Sequence, residues 1–338
     1  MTDTLRFGIV GTGLIARVIA QGLVDAKNCA LVGVASRSIS RSQEFGQQFG
    51  DVKGFDSWQD LIAWSGVDAI YIATPTALKE EIAVVAAQQK KHVLVDKPFA
   101  TLESLQKITV VCRENKVLFM DATHFVHHPR IATIKQTMEE SIGKVQAIRS
   151  AFYFPVSDRS NIRFNPELEP KGALGDLGWY NMRATVEFLA PNINLSQISA
   201  KVKRDIETGA IVRVCGMLAF DDDSTSTWDA GYTSGAITMD LALIGTKGII
   251  TLDDFVLDWV NSFAFKNPNL KAGFYLKNGM DTRGDVKFIE VKSEQSSQVK
   301  MVENFADVVF NGVTNSTINY YQVSEKTQAL LDAIYGCI

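Results

Sequence analysis

The chain has 338 residues, of which 46% are hydrophobic and 21% are charged, a composition typical of a folded protein with a sizeable core. This length exceeds that of one ordinary domain and suits two. The formal net charge of −4 argues against a nucleic-acid-binding surface, and no apolar segment reaches the length needed to cross a membrane.

The N-terminus and the cysteines bear on the cellular compartment. The first residues lack the basic and then apolar pattern of a signal peptide. The cysteines are widely separated, without metal-ligand spacing or a disulfide framework, and suit small apolar core positions: Cys29, Cys112, Cys215 and Cys337. We therefore predict a cytoplasmic protein.

The first elements are a predicted strand at residues 5–10 and an amphipathic helix that ends near residue 26. The turn between them, from Gly11 to Ala16, has the G-x-G-x-x-A pattern of dinucleotide sites. The first glycine forms a tight turn, the second lets the backbone approach a pyrophosphate, and the alanine lets helix and strand pack closely. The predicted cofactor-binding residues of this turn are Gly11, Thr12, Gly13, Leu14 and Ile15.

The end of the second predicted strand, residues 30–35, indicates which dinucleotide binds. NAD-binding domains place an acidic residue there for the ribose 2′-hydroxyl, whereas this chain has Ser36, Arg37 and then Arg41. Hydroxyl and guanidinium groups bind a 2′-phosphate that a carboxylate would repel. We therefore predict NADP as the cofactor, with NAD as the alternative if both arginines are only solvated charges.

Strands and helices continue to alternate up to residue 120, with further strands predicted at 67–73, 93–95 and 117–120. This order predicts a doubly wound parallel sheet, a Rossmann domain spanning residues 1–122. Ligands bind beyond the carboxyl ends of such strands. Thr74 and Pro75, and then Asp96 and Lys97, occupy these positions, so we predict that they line the cofactor site and that Lys97 also reaches the substrate.

The rest of the chain, residues 123–338, has longer alternating strands, predicted at 145–154, 211–220, 236–243 and 248–252. They predict an α+β domain with a mostly antiparallel sheet that carries helices on one face. The other face would be open and is the candidate surface for a homo-oligomer.

A glycine-rich segment, residues 171–180, places Asp176 and Tyr180 four residues apart, which on one helix is the same face. A phenol can give and take a proton when a nearby cation lowers its pKa from about 10. The alternative is structural, with Asp176 favoured by a helix dipole and Tyr180 a half-buried aromatic residue.

A cluster of Asp121, His124, His127 and His128 follows the predicted strand at 117–120. Its mixture of residues could indicate a zinc site, the lining of a substrate pocket, or plain packing. We predict no metal, and His124 is the best candidate for the pocket.

The order of these motifs resembles the Gfo/Idh/MocA family of NAD(P)-dependent oxidoreductases. The resemblance rests on G-x-G-x-x-A, on Asp96-Lys97-Pro98 where the family usually has Glu-Lys-Pro, and on Gly-Asp-x-Gly-x-Tyr ending at Tyr180. The tyrosine is similar to the branch of glucose-fructose oxidoreductase and dimeric dihydrodiol dehydrogenase. The resemblance implies a sugar, polyol or related carbonyl compound as substrate.

The resemblance also implies catalytic roles. Tyr180 would be the general acid or base, Lys97 would orient the reacting oxygen, and Asp176 would hold the substrate or Lys97. We further predict substrate contacts from Tyr153 and Arg163. The alternative function is a catalytically silent NAD(P)-binding regulator of the same fold, which the presence of all three catalytic residues disfavours.

Overall fold

The computed structural model describes residues 4–189, 194–312 and 319–338. Six short apolar strands form a parallel sheet in the order β3-β2-β1-β4-β5-β6, which confirms the predicted doubly wound fold. The strands are β1 (Leu5–Val10), β2 (Cys29–Ala35), β3 (Lys53–Phe55), β4 (Ala69–Ile72), β5 (His92–Val95) and β6 (Phe119–Asp121). The order reverses between β1 and β4, and a ligand is expected beyond the carboxyl ends of the strands at such a point.

Helices connect these strands, and several begin at residues whose side chains cap them. Ser57 accepts a hydrogen bond from the backbone of Asp60, and Thr101 accepts one from the backbone of Ser104. The helices are α1 (Leu14–Asp25), α2 (Ile39–Gln47), α3 (Trp58–Ala63), α4 (Lys79–Gln88) and α5 (Leu102–Asn115).

A second sheet has the order β14-β13-β12-β11-β7-β10-β9-β8 and is antiparallel except where β7 pairs with β10, which confirms the predicted mostly antiparallel sheet. Its strands are β7 (Val145–Tyr153), β8 (Leu195–Arg204), β9 (Ile211–Phe220), β10 (Thr225–Gly231), β11 (Thr238–Gly245), β12 (Gly248–Leu252), β13 (Gly273–Asn278) and β14 (Lys287–Glu290).

The later helices are α6 (Arg130–Thr137), α7 (Gly172–Asp176), α8 (Gly178–Phe188), α9 (Ser297–Asn311) and α10 (Tyr320–Tyr335). Helices α7 and α8 pack on one face of the second sheet, against β7, β9 and β10. The opposite face forms an open depression of about 820 Å³ whose lining includes Arg149, Asp229, Asp240 and Tyr275. Within the described ranges, no helix is long and apolar enough to cross a membrane.

The chain divides into two compact units, Met1–His127 with Gln295–Glu325, and His128–Glu294 with Lys326–Ile338. The sequence-based boundary placed all of 123–338 in the second domain, and this assignment needs correction for 295–325. Helix α9 buries Met301 and Phe305 in the core of the first unit, and the Phe305 ring lies 5.5 Å from that of Phe7. An amphipathic helix does not reveal from its sequence which core it covers.

Candidate active site

The glycine-rich turn between β1 and α1 has the backbone that a dinucleotide site requires. Gly11 has φ +117°, and a Cβ atom added there would lie 2.7 Å from the carbonyl oxygen of Ala73. Gly13, just before α1, has an ordinary φ of −76°, and a Cβ atom added there would meet nothing within 4 Å. Gly11 therefore serves the turn itself, whereas Gly13 leaves open space at the helix N-terminus, where a pyrophosphate fits.

Alanine substitutions should separate these two roles. Gly11→Ala is expected to lower the melting temperature without cofactor, because it strains the backbone by about 1–3 kcal/mol and also meets Ala73. Gly13→Ala should leave the melting temperature unchanged but weaken NADPH binding about tenfold or more. Thermal unfolding and fluorescence titration measure the two effects. Wild-type affinity in Gly13→Ala would remove this turn from the cofactor site.

The loop after β2 and the start of α2 present two exposed cations. Ser36 shapes the turn, since its hydroxyl donates to the Ser38 carbonyl at 2.8 Å and accepts from the Ser38 amide at 3.2 Å. Arg37 and Arg41 are exposed, and neither forms an ion pair with another residue that the structure describes. The first turn of α2 contains no acidic residue. Both guanidinium groups are therefore available to an anion.

The loop after β4 carries a buried hydroxyl that lacks a protein partner. The Oγ1 atom of Thr74 is buried and has no hydrogen-bond partner among the described residues. Such a group is costly unless a ligand satisfies it. Thr74 follows Ala73, whose carbonyl oxygen lies close to Gly11, so the orphaned hydroxyl and the glycine turn lie at one edge of the sheet. The glycine turn and Thr74 thus fit a dinucleotide. Pro75 follows Thr74 in the same loop.

The loop after β5 holds Lys97 at 8% exposure, and its peptide bond to Pro98 is cis. The Tyr71 hydroxyl donates to Asp96 at 3.4 Å. Lys79 was not predicted as a site residue, yet its Nζ atom donates to the carbonyl oxygens of Lys97 at 3.0 Å and Pro98 at 2.9 Å. Nothing in the local sequence pattern distinguishes Lys79 from a surface lysine at a helix start.

His124 is buried, with its Nδ1 atom 3.1 Å from the Ser297 hydroxyl. Burial lowers the pKa of His124 to about 3, and the positive charge of Lys97 acts in the same direction. The imidazole is therefore neutral at pH 7. It can donate or accept a hydrogen bond, but it does not carry a charge to a substrate.

The other members of the histidine cluster have separate partners. Asp121 is buried and accepts hydrogen bonds from Thr123 and Ser324. His127 contacts Asn304 at 3.0 Å. The Nδ1 atom of His128 accepts from the Arg130 amide. Across 4–189, 194–312 and 319–338, no group of three or more His, Cys, Asp or Glu side chains is arranged to hold a metal ion.

In the second unit, the Asp176 carboxylate accepts hydrogen bonds from Arg163 and Tyr232. Arg163 Nε lies 2.6 Å from its Oδ2 atom, and the Tyr232 hydroxyl donates to the same oxygen at 3.2 Å. Burial raises the pKa of Tyr232 well above 10, and the charge of Asp176 adds to this, so Tyr232 remains a donor. The structure thus brings together the predicted residues Arg163 and Asp176. Tyr232 was missed, because one tyrosine after a strand gives no signal in the sequence.

Tyr180 lies in the first turn of α8 and is 7% exposed. Its ring meets the Phe152 ring edge-on, with the centroids 5.4 Å apart. The predicted single helix is interrupted at Leu177, so Asp176 is the last residue of α7 and Tyr180 is the third residue of α8. Asn181 anchors α8 to the sheet through a 2.8 Å hydrogen bond to a serine of β7.

Tyr153 does not join this group, which corrects its predicted substrate contact. Successive side chains of a strand point to opposite faces, and Phe152 faces α8. Tyr153 therefore points to the open face, where its hydroxyl bonds Asp229 and its ring contacts Arg213. Burial and Asp229 raise the pKa of Tyr153 to about 12. It stabilises the open face of the sheet and not the surroundings of Tyr180.

The chain is similar to several known proteins in sequence and in structure. Its sequence is 27% identical to a dTDP-3,4-didehydro-2,6-dideoxy-alpha-D-glucose 3-reductase of Streptomyces antibioticus, over 74% of this chain and 75% of that protein. It is 32% identical to the scyllo-inositol 2-dehydrogenase (NADP(+)) IolU of Bacillus subtilis, over 55% of this chain and 59% of that protein. The fold matches that of KijD10, a 3-ketoreductase from Actinomadura kijaniata crystallised with NADP and TDP-benzene, with a TM-score of 0.87 and 21% identity over 99% and 98% of the two chains.

Two family models match the two parts of the chain. Residues 5–123 match the oxidoreductase family with an NAD-binding Rossmann fold, and residues 131–251 match the GFO/IDH/MocA C-terminal domain. The matched segments coincide with the parallel sheet and with much of the second sheet. The chain therefore belongs to the Gfo/Idh/MocA family of oxidoreductases.

Proposed function

We propose that this protein is an NADP(H)-dependent oxidoreductase that transfers a hydride between nicotinamide and a hydroxyl or carbonyl group of a sugar, polyol or related compound. The observation that carries the cofactor choice is the loop after β2, where Arg37 and Arg41 are exposed and form no ion pair with another described residue. The names of relatives support the rest, since they act on sugar-like compounds and one uses NADP(+).

The preference for NADP follows from charge. The ribose 2′-phosphate carries negative charge, and Arg37 and Arg41 supply two guanidinium groups that bind phosphate oxygens well. Ser36 shapes the start of the same loop through its hydrogen bonds to Ser38. NAD would leave both guanidinium groups unused at this position, so the discrimination comes from attraction to the phosphate and not from repulsion of NAD.

The chemistry divides between the cofactor and the protein. Bound nicotinamide supplies or accepts the hydride. We assign to Tyr180 the transfer of a proton to or from the reacting oxygen, and to Lys97 a positive charge that stabilises the negative charge developing there. Asp176 orients a substrate hydroxyl. Hydrogen bonds from Arg163 and Tyr232 fix the orientation of the Asp176 carboxylate.

The side chains of His124 and Asp176 suggest how a polyhydroxylated substrate is recognised. A neutral His124 can donate to one hydroxyl or accept from another, and its hydrogen bond to Ser297 sets the orientation of the ring. A carboxylate such as Asp176 accepts hydrogen bonds from hydroxyl groups. These residue types suit a sugar or polyol better than an apolar substrate.

We also propose that the protein forms a homo-oligomer through the open face of its second sheet and works in the cytoplasm. The open face carries charges of both signs, including Arg149 and Asp240. All four cysteines are free, and burial raises the pKa of the Cys112 thiol to about 12, which suits a structural and unreactive cysteine. Light scattering of the purified protein tests the oligomer.

The cofactor proposal has a direct test. Fluorescence titration should show NADPH binding about tenfold or more tightly than NADH. The double variant Arg37→Ala/Arg41→Ala should weaken NADPH binding about 10- to 100-fold and leave NADH binding within about threefold, because only the 2′-phosphate contact is lost.

A second double variant controls for total charge. Lys107→Ala/Arg113→Ala removes two cations from α5, and it should leave the affinities for both cofactors unchanged. If NADH binds more tightly than NADPH to the wild type, the phosphate assignment fails while the oxidoreductase assignment stands. If neither binds, both fail. A positive titration leads to a screen of keto sugars and polyols that follows NADPH absorbance.

A further inference from the structure

Lys79 is a buried cation at the start of α4. It is 2% exposed, and its Nζ atom donates to Pro98 O at 2.9 Å, Lys97 O at 3.0 Å and Thr76 Oγ1 at 3.4 Å. An ammonium group has three N–H donors, so it can bind several oxygen atoms at once. The cation is thus enclosed by oxygen atoms, two of which belong to the loop that carries Lys97.

Two physical effects oppose a cation at this position. Removing an ammonium group from water is costly unless polar partners replace the water. The N-terminus of a helix also disfavours positive charge, and Lys79 is the first residue of α4. The hydrogen bonds to the loop help to offset both costs, which a neutral, apolar side chain of similar length would avoid.

The loop needs these bonds because it leaves the sheet. The amide of Asp96 still pairs with the carbonyl oxygen of Ile72, in the manner of a strand. Beyond it, the carbonyl groups of Lys97 and Pro98 turn to the Lys79 ammonium. One cation thereby orients two successive carbonyl groups, and a buried carbonyl without a donor would be costly.

We propose that Lys79 is a positioning residue for Lys97: its ammonium binds the carbonyl oxygens of Lys97 and Pro98 and fixes the backbone from which the Lys97 side chain extends. The importance of this for turnover rests on the proposed function of Lys97. Lys79 contacts the backbone of the loop and acts on the reaction only through Lys97. A small displacement of a catalytic group can cost about 10²-fold in rate, so the anchor is a determinant of kcat.

Lys79→Met tests the proposal, with Lys91→Met as the matched control. The Lys91 Nζ atom also donates to two carbonyl oxygens of the first unit, those of Trp64 at 3.2 Å and Val67 at 2.8 Å, but not to the loop of Lys97. Trace acetylation followed by peptide mass spectrometry measures the reactivity of the Lys97 amine. Lys79→Met should raise this rate about threefold or more, because the released loop opens, and Lys91→Met should not change it.

Kinetics on a substrate found in the screen provide the second measurement. Lys79→Met should lower kcat about 10- to 100-fold and leave KM and NADPH affinity within about threefold, whereas a merely structural loss would change all three. Lys79→Gln keeps a polar group but is too short to reach both carbonyl oxygens. It should show the same pattern, and it decides the question if Lys79→Met does not fold.

The two measurements keep this proposal separate from the proposed function. Unchanged Lys97 labelling in both Lys79 variants, or an equal change in Lys91→Met, overturns the positioning role. If wild-type protein reduces no tested carbonyl compound, the proposed function fails, but the labelling result still decides whether Lys79 positions Lys97. Altered labelling with wild-type kcat would overturn the link to turnover.

Discussion

Replacing Tyr180 by phenylalanine is expected to lower kcat by about 10²–10⁴-fold, the usual contribution of a proton-transfer group. The substitution removes only the hydroxyl oxygen. The ring keeps its edge-on contact with Phe152, and α8 keeps its anchor through Asn181, so the fold should be retained. Steady-state turnover measures the effect. The melting temperature and NADPH affinity should stay at wild-type values.

Tyr153→Phe is the matched control for this experiment. It removes the same atom from a tyrosine on the opposite face of the sheet, where the hydroxyl forms a hydrogen bond with Asp229. Turnover of Tyr153→Phe should lie within about twofold of wild type, because surface hydrogen bonds contribute little to a distant reaction. Near-wild-type turnover of Tyr180→Phe on the true substrate would exclude its phenol from proton transfer. An equal loss in both variants would indicate that the assay reports stability.

Local patterns predicted the first sheet well because each element carries its own signal. The strand at residues 5–10 was predicted with the bounds that β1 has, and the glycine turn follows it directly. Gly11 and Gly13 could be assigned from spacing alone, since a positive φ and an open approach are backbone requirements that only a small residue meets. The bounds of β9 and β12, at 211–220 and 248–252, were also predicted correctly.

Elements whose position depends on distant parts of the chain could not be predicted. Strand β8 (Leu195–Arg204) lies at the sheet edge and is rich in exposed polar residues, so it lacks the apolar alternation of a buried strand. Helix α9 has a clear apolar face, but the sequence does not state which core receives it. The strand predicted at 145–154 matches β7 to within one residue, but its sequence did not show which face carries α8, so Tyr153 was predicted to contact the substrate.

The residues of the candidate site also divide into those with a local sequence signal and those whose position depends on distant parts of the chain. Arg163 and Asp176 were predicted as separate contacts, and the structure joins them in one ion pair. Tyr232 and Lys79 were missed because each acts through a residue far away in sequence. Lys79 lies 18 residues before Lys97, and Tyr232 lies 56 residues after Asp176. Motifs indicate which groups do chemistry, whereas the groups that hold them appear only once the chain is folded.

Lys97→Met is expected to lower kcat by about 10²–10⁴-fold, because it removes the positive charge that we propose stabilises the reacting oxygen. Methionine has nearly the length of the lysine stem, and Lys79 binds the backbone carbonyl of residue 97 and not its side chain, so the loop should keep its position. NADPH affinity should fall by less than about tenfold, because the phosphate contacts proposed for Arg37 and Arg41 remain.

The comparison with Lys91→Met shows whether the loss is specific, since that variant removes a half-buried lysine of the first unit. A large primary deuterium isotope effect with labelled NADPH in Lys97→Met would place the defect in the chemical step and not in product release. Turnover close to wild type would remove Lys97 from the mechanism. The Lys79 anchor would then serve only the stability of the loop.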